Sequence, residues 1–230
     1  MAFELVFIAL SALITCGFLA LSKKAHRKLP SIELKNTQSC PKVSVIIPAH
    51  NKEKLIKACI ESVKNSLYPN KEIIVVDDCS TDNTRKILKK INRIKSFSNK
   101  KRLGKSASLN NAAKKVSGRL ILFLDADTIL QKDTIETLVS TYAGYERIEG
   151  RGKVGFIAPK YKLVNSRSLI AKLAYLEQSI HQFLIKVQMN LESILAIRGC
   201  CLLVNKKAFF AVKGFSNTIL EDGDFSAKLV

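Results

Sequence analysis

The sequence has 230 residues, of which 47% are hydrophobic, and this is enough apolar material for the core of one ordinary globular domain. Such a composition excludes an intrinsically disordered chain. The formal net charge of +19, from 38 basic and 19 acidic residues, predicts an anionic neighbour such as nucleic acid, acidic lipid or a phosphorylated substrate.

The N-terminal region predicts a transmembrane anchor over residues 1–22. Residues 2–21 are apolar apart from Glu4 and small polar residues, and their number suits a helix that crosses a bilayer. Basic residues follow this run and none precedes it, so the positive-inside rule places the rest of the chain in the cytoplasm. The alternative is a cleaved signal peptide, which requires basic residues before the apolar run. We therefore expect a retained anchor in the cell membrane.

A basic stretch over residues 23–41 is polar and aperiodic and contains two prolines, which predicts a juxtamembrane linker. The folded domain is expected to cover residues 42–230. Its first half alternates short apolar runs with segments whose apolar residues have helical spacing. The predicted strands cover residues 43–51, 73–76 and 119–127, and the predicted helices cover residues 55–63, 82–91, 106–116 and 132–142. Apolar strands that alternate with amphipathic helices indicate a parallel sheet covered on both faces.

The second half predicts two further strands, over residues 154–159 and 200–204, and a helix over residues 206–212. Residues 168–197 are apolar around much of a helical circumference but contain too many charges to span a bilayer. We expect a helix, broken once, that packs on the sheet or lies along the membrane interface. A last acidic cluster covers residues 221–224.

Polar side chains lie at the C-terminal tips of three of the predicted strands: His50 and Asn51, Asp77 and Asp78, and Asp125 with Asp127. In open parallel sheets ligands bind beyond the carboxyl ends of the strands, so these groups are expected at one edge. Carboxylates at such an edge suit Mg²⁺ or Mn²⁺, which leave coordination positions for substrate phosphates. An Asp-x-Asp pair in an exposed turn is the alternative interpretation.

Several other kinds of site are excluded or weakly indicated. The six cysteines form no Cys-x-x-Cys pair and are interpreted as reduced packing residues, so a zinc site is not expected. The turn at residues 77–83 lacks the glycine and the glutamate of a calcium loop. No glycine-rich phosphate loop is present, although Lys105 opens a predicted helix and could contact a phosphate.

Five motifs in this order, VSVIIPAHN, VVDDCSTDNT, GKSASLNNA, GRLILFLDADT and LEDGD, resemble glycosyltransferase family 2. The members of that family are inverting enzymes with the GT-A nucleotide-sugar fold, an α/β fold with a mainly parallel sheet flanked by helices. The resemblance covers the chain from about Lys42 to its C-terminus. It implies a metal-dependent hexosyltransferase that uses a nucleoside-diphosphate sugar, with a UDP-sugar as the expected donor.

The resemblance also implies roles for single residues. Asp78 would hold the nucleotide base, and Asp125 and Asp127 would bind the diphosphate through Mg²⁺ or Mn²⁺, with Asp127 as the more direct metal ligand. The expected nucleotide-sugar contacts are Pro48, His50, Asn51, Asp78, Lys105 and Asp125. Asp222 would be the base that accepts a proton from the acceptor hydroxyl as the anomeric configuration inverts. A surface turn is the alternative for its acidic cluster, and the choice of Asp222 over Asp224 rests on the family motif.

With its predicted anchor, the chain is similar to the membrane-embedded polysaccharide-synthase branch of the family. Members of that branch carry a Gln-x-x-Arg-Trp motif and further transmembrane helices, and this sequence contains no tryptophan. We therefore expect a domain that is C-terminally incomplete, either as a fragment of a longer enzyme or as a truncated product. The expected partners are a nucleoside-diphosphate sugar, a glycan or lipid acceptor and the membrane.

Two alternatives remain open: a polyprenyl-phosphate sugar transferase, and a catalytically incomplete subunit that binds a nucleotide sugar. Nucleic acid is not an expected partner, because the basic residues are scattered and aromatic residues make up only 7% of the chain.

Overall fold

The computed structural model describes residues 40–146, 155–162, 168, 171–175, 177–178, 180, 199–218 and 221–229. The chain divides into two compact units. One unit contains Ile32–Lys160 and Ala196–Val230, and with them the sheet and every candidate site residue. The other contains Met1–Ser31 and Tyr161–Leu195. In its described part residues 171–175 are helical, and the amide of Gln178 donates a hydrogen bond to the carbonyl of Tyr161.

The strands of the described residues form a six-stranded mixed sheet. They are β1 Val43–Ala49, β2 Lys71–Asp77, β3 Lys95–Ser98, β4 Leu120–Leu124, β5 Phe156–Ile157 and β6 Cys201–Asn205. Their order across the sheet is β3-β2-β1-β4-β6-β5. The first four strands run parallel, as the alternation of strands and helices predicted, whereas β6 is antiparallel to both β4 and β5.

Helices cover both faces of this sheet. They are α1 Ile56–Lys64, α2 Thr84–Lys89, α3 Lys105–Ala113, α4 Thr134–Glu146, α5 Lys206–Ala211 and α6 Glu221–Leu229. The apolar sides of α1 and α4 pack on one face, and those of α3, α5 and α6 pack on the other. Successive residues of β4 therefore enter two different cores, with Leu122 on one side and Phe123 on the other. Burial on both faces explains why the strands are continuously apolar.

Some element boundaries differ from the prediction. Leu55 was assigned to the first helix, but it precedes α1 and is 45% exposed. Helix α2 ends at Lys89, so Ile91 lies beyond it. The acidic cluster, for which a surface turn was the alternative, forms the first turn of α6. There its carboxylates complement the positive end of the helix dipole.

The predicted anchor over residues 1–22 and most of the linker over residues 23–41 lie outside the described residues, as does most of the long segment over residues 168–197. Within the part of the chain that is described, no helix has the length and hydropathy needed to cross a membrane. Five of the six cysteines fall in this part and are free thiols, and Cys59 and Cys201 are buried in the core.

Candidate active site

Strands β1, β2 and β4 end at one edge of the sheet, beside the start of α3, and this edge borders an open cleft of about 260 Å³. Five of the residues predicted to bind a nucleotide sugar line the cleft: Pro48, His50, Asp78, Lys105 and Asp125. Asp127, which was predicted with Asp125 to bind the metal ion, lines it as well. The expectation that distant parts of the chain converge at one edge is therefore confirmed.

Two tight turns direct the chain away from this edge. Asn51 follows β1 with a φ of 51°, and Cys79 follows β2 with a φ of 60°. Non-glycine residues adopt this left-handed conformation rarely, and asparagine adopts it more readily than most. The side chain of Asn51 accepts a hydrogen bond from the N–H of Thr81 at 2.9 Å. Asn51 thus joins the two turns and, unlike the other predicted contacts, is not among the residues that line the cleft.

Asp78 is 4% exposed, and its carboxylate organises the wall of the cleft. Oδ1 accepts hydrogen bonds from the N–H of Leu103 and the amide of Asn99, and Oδ2 accepts one from the N–H of Gly104, all at 2.8 Å. Burial by itself would raise the pKa of Asp78, but these bonds, together with one from the side chain of Ser108, outweigh it and hold the pKa below its ordinary value. The carboxylate therefore stays ionised and fixes the loop that leads into α3.

The start of α3 depends on a backbone conformation that suits glycine. Gly104 has a φ of 87°, and with this turn its N–H reaches Asp78 while the next residue, Lys105, begins the helix beside the cleft. The backbone carbonyl oxygen of Asp78 lies 2.8 Å from Nδ1 of His50. The two predicted nucleotide contacts from β1 and β2 are thus joined directly.

Each carboxylate of the Asp-x-Asp pair is bound by a lysine. Nζ of Lys52 lies 2.7 Å from Oδ2 of Asp127, and Nζ of Lys105 lies 3.0 Å from Oδ1 of Asp125. Asp127 is exposed, while Asp125 is partly buried and its N–H donates to the carbonyl of Cys200 on the neighbouring chain segment at 3.0 Å. The two acids therefore differ in environment: one faces solvent and the other is anchored in the sheet.

Lys105 connects the Asp-x-Asp pair to the C-terminal acidic cluster. Its Nζ lies 3.3 Å from Oε1 of Glu221 as well as 3.0 Å from Asp125, so both carboxylates are within reach of one ammonium group. Burial would lower the pKa of Lys105, but the fields of Asp125, Asp222 and Glu221 outweigh it and raise the pKa. Lys105 therefore remains charged and holds the acidic first turn of α6 beside β4.

Asp222 lies in this same group of charges. Its Oδ2 accepts a hydrogen bond from the N–H of Gly199 at 2.9 Å. Burial raises the pKa of the Asp125 and Asp222 carboxyl groups, although the ammonium of Lys105 pulls both pKa values down. Asp224, by contrast, pairs with Lys228 at 2.6 Å one turn along the helix. A carboxylate with a raised pKa next to a cleft is suited to accept a proton, which favours Asp222 over Asp224.

The residues fit a divalent cation that a substrate helps to bind. In the described part of the chain, no group of three or more His, Cys, Asp or Glu side chains could hold a metal ion by itself. Mg²⁺ and Mn²⁺ sites in enzymes commonly use one or two carboxylates and complete their coordination with water and phosphate oxygens. Asp125 and Asp127 offer such a pair, and their present partners are flexible lysine side chains that a cation can displace.

Three contributors to the site were not identified from the sequence: Lys52, Arg102 and Gly199. Lys52 follows the predicted His50–Asn51 pair, and Arg102 precedes the glycine and lysine that open α3, so their proximity to predicted residues was the available signal. The contact of Gly199 with Asp222 joins residues 23 apart in the chain, and no local pattern indicates it.

A family model described as Glycosyl transferase family 2 matches residues 44–210. The chain belongs to glycosyltransferase family 2. The family match confirms the resemblance that the five motifs predicted, and it covers the cleft residues contributed by the strands and by α3. Asp222 lies beyond the matched region.

Among the relatives in this family is the UDP-Glc:alpha-D-GlcNAc-diphosphoundecaprenol beta-1,3-glucosyltransferase WfgD of Escherichia coli, which is 34% identical over 63% of this chain and 55% of its own length. Another is the GalNAc(5)-diNAcBac-PP-undecaprenol beta-1,3-glucosyltransferase of Campylobacter jejuni, 34% identical over 48% of this chain and 38% of its own. The chain thus spans about half or less of the length of these curated relatives.

A solved structure with a similar fold is the mannosyltransferase PcManGT from Pyrobaculum calidifontis in complex with GDP-Man and Mn²⁺. It superposes with a TM-score of 0.69 at 20% identity, over 96% of this chain and 62% of the other. At this identity the similarity establishes the fold. The family 2 chain therefore has the α/β GT-A fold, with a mixed sheet flanked by helices.

Proposed function

We propose that this family 2 chain is a metal-dependent, inverting glycosyltransferase that transfers a hexose from a UDP-sugar to a lipid-linked glycan at the cytoplasmic face of a membrane. The observation that carries the proposal is the convergence of acids from two strand ends at one cleft, with the acidic first turn of α6 paired to them through Lys105. Asp78, Asp125 and Asp127 line the cleft, and Lys105 pairs with both Asp125 and Glu221, the neighbour of Asp222. In the proposed function Asp78 would contact the nucleotide base, Asp125 and Asp127 would bind the diphosphate through a metal ion, and Asp222 would act as the catalytic base.

The donor assignment is supported by the position of Asp78, whose ionised carboxylate lines the cleft and is the kind of hydrogen-bond acceptor that the imide N–H of uracil needs. The relative from Escherichia coli carries UDP-Glc in its name, which favours the same nucleotide here.

The diphosphate brings several negative charges to an edge that already carries three carboxylates. Mg²⁺ or Mn²⁺ held by Asp125 and Asp127 would offset this charge and stabilise the departing nucleoside diphosphate. Lys105, which pairs with Asp125, adds positive charge at this position and would be free to turn toward phosphate oxygens.

In the displacement itself, an acceptor hydroxyl attacks the anomeric carbon while the bond from that carbon to the diphosphate oxygen breaks. Asp222 takes the proton of the attacking hydroxyl, so the new glycosidic oxygen carries no net charge. Because burial raises the pKa of Asp222, the carboxylate is a stronger base than an exposed aspartate would be. A single displacement of this kind inverts the anomeric configuration.

A lipid-linked acceptor is supported by the two relatives, whose names specify sugars attached through diphosphate to undecaprenol. An apolar stretch over residues 2–21, followed by basic residues, would anchor the chain where such acceptors are found. The net charge of +19 suits an anionic lipid surface and an acceptor that carries phosphate.

The proposal is tested with UDP-[¹⁴C]glucose and Mn²⁺, using membranes that contain the full chain and either undecaprenyl-diphosphate-linked N-acetylglucosamine or undecaprenyl phosphate. We expect label on the lipid-linked sugar, its loss in EDTA, and its loss in Asp222→Asn but not in the matched Asp224→Asn. Label on undecaprenyl phosphate instead would establish the alternative polyprenyl-phosphate sugar transferase. Binding of UDP without turnover on either acceptor would contradict the enzyme assignment and favour a nucleotide-sugar-binding subunit.

A further inference from the structure

The two-residue peptide segment Gly199-Cys200 contacts both halves of the candidate active site. On one side the N–H of Gly199 donates to Oδ2 of Asp222 at 2.9 Å. On the other side the carbonyl of Cys200 accepts the N–H of Asp125 at 3.0 Å. One short stretch of backbone thus binds the proposed base and the main chain of the proposed metal-binding strand end.

Gly199 leaves the space that the carboxylate of Asp222 occupies. A Cβ atom at this position would lie 2.0 Å from Oδ1, 2.3 Å from Cγ and 2.5 Å from Oδ2 of Asp222. Non-bonded heavy atoms at their optimal separation are about 3.5–4.0 Å apart, so an alanine here cannot coexist with the observed position of the carboxylate. Either the peptide, the helix or the carboxylate must move.

The peptide and the helix are both held in place. Directly after this peptide β6 begins, and Cys201 pairs with Leu124 at the end of β4. Helix α6 is fixed by Phe225, which is fully buried and packs on the rings of Phe209 and Phe215 with centroid distances of 5.5 and 4.6 Å. The carboxylate at the end of the Asp222 side chain is therefore the group most easily displaced.

We propose that Gly199 is the positioning residue of Asp222: its N–H orients the carboxylate, and its missing side chain provides the space in which that carboxylate faces Lys105 and Asp125. The inference deepens the proposed function and rests on it, since it explains how the base is held at a fixed distance from the strand end that binds the diphosphate. Its geometric part concerns only the contact between residues 199 and 222 and can be tested without an acceptor.

The test is a double-mutant cycle in thermal unfolding, with Gly199→Ala made in the unmodified chain and in Asp222→Ala. The second substitution removes the atoms that the new Cβ would meet, so the cost of Gly199→Ala should vanish. We expect Gly199→Ala to lower Tm by about 5 °C in the unmodified chain and by about 1 °C or less in Asp222→Ala. The larger shift corresponds to the loss of one or two favourable contacts in a chain of this size.

Gly118→Ala is the matched control, because its Cβ would also be crowded, at 2.6 Å from Oγ of Ser44 and 2.7 Å from the carbonyl of Lys42, far along the chain from Asp222. It should lower Tm equally in both backgrounds. Equal shifts for Gly199→Ala in the two backgrounds, including no shift in either, would overturn the inference.

Kinetics supply the second measurement. Gly199→Ala should lower kcat about 100-fold, the lower end of what a general base contributes, with KM for the donor and Kd for UDP with Mn²⁺ changed less than twofold. If the unmodified chain turns over and Gly199→Ala has the same kcat, the inference about Gly199 is wrong and the proposed function is unaffected. Absence of turnover in the unmodified chain would overturn the proposed function instead, and the unfolding cycle would still decide whether Gly199 positions Asp222.

Discussion

Replacing Asp78 by asparagine should loosen the wall of the nucleotide cleft. The carboxylate accepts three hydrogen bonds from the loop over residues 99–104, and an asparagine in the same position presents an NH₂ group to at least one of those donors. A hydrogen bond to a charged group contributes about 1.5–3 kcal/mol, and a buried donor left unsatisfied costs about 1–3 kcal/mol. These two contributions add to about 2.5–6 kcal/mol. A neutral amide costs less to bury than the carboxylate, which reduces the expected loss to about 2–5 kcal/mol.

For a domain of this size each kcal/mol lowers Tm by about 2–4 °C, so Asp78→Asn should melt about 5–15 °C below the unmodified chain at pH 7. UDP binding, measured by calorimetry, should weaken at least tenfold. Asp77→Asn is the control: it lies one residue earlier, is also buried, and keeps the oxygen that accepts the N–H of Ser80 at 3.1 Å.

The effect of Asp78 also has a defined pH dependence. Because its folded pKa is depressed, the stability it contributes is present above the ordinary pKa of 3.8 and is lost as pH falls through the folded pKa. The difference between the unmodified chain and Asp78→Asn should therefore shrink below pH 3.8. The reasoning would be refuted if Asp78→Asn melted within 2 °C of Asp77→Asn at pH 7, well below the shift of about 5–15 °C expected for the loss.

Three further predictions follow from other contacts. Lys52→Met removes a cation from Asp127, so Mn²⁺ should bind about threefold more tightly in the presence of UDP, a change of the size that an exposed ion pair contributes. Calorimetry measures this affinity, and Lys57→Met, on the exposed side of α1, should leave it unchanged. Burial would raise the pKa of Glu72, but bonds from Ser44, Lys95 and Ser117 outweigh it and lower the pKa to about 2. In urea unfolding, Glu72→Gln should therefore be less stable than the unmodified chain above pH 4.5 and converge with it near pH 2; a constant gap would contradict this. Phe225→Ala should cost about 3–5 kcal/mol and, by loosening α6, reduce turnover as well; full turnover would contradict the anchoring role.

The parts of the fold that the sequence predicted are those whose physical signal is local. Strands β1 and β4 are continuous apolar runs because both of their faces are buried, and α1 buries Ile56, Cys59, Ile60 and Val63 at helical spacing. Strand β3 was missed because an edge strand needs little apolar surface: among its four residues only Phe97 packs against the core. The antiparallel direction of β6 depends on the chain path through residues 158–200, which no local pattern specifies.

The same distinction applies to the site. Acids at strand ends were predictable, since the topology of a parallel sheet brings those ends together. The pairing of Lys52 with Asp127 and the contact of Gly199 with Asp222 join residues 75 and 23 positions apart, so they depend on tertiary distances. Asn51 was expected to line the nucleotide pocket, but its left-handed backbone directs its side chain to Thr81.

The central claim is that Asp127 and a divalent cation together bind the diphosphate of a nucleotide at this edge of the sheet. Calorimetric titration of UDP into the unmodified chain and into Asp127→Ala, with Mn²⁺ and with EDTA, tests it directly. We predict that Mn²⁺ tightens UDP binding at least tenfold in the unmodified chain and has no effect in Asp127→Ala. Equal UDP affinity under all four conditions would contradict the account.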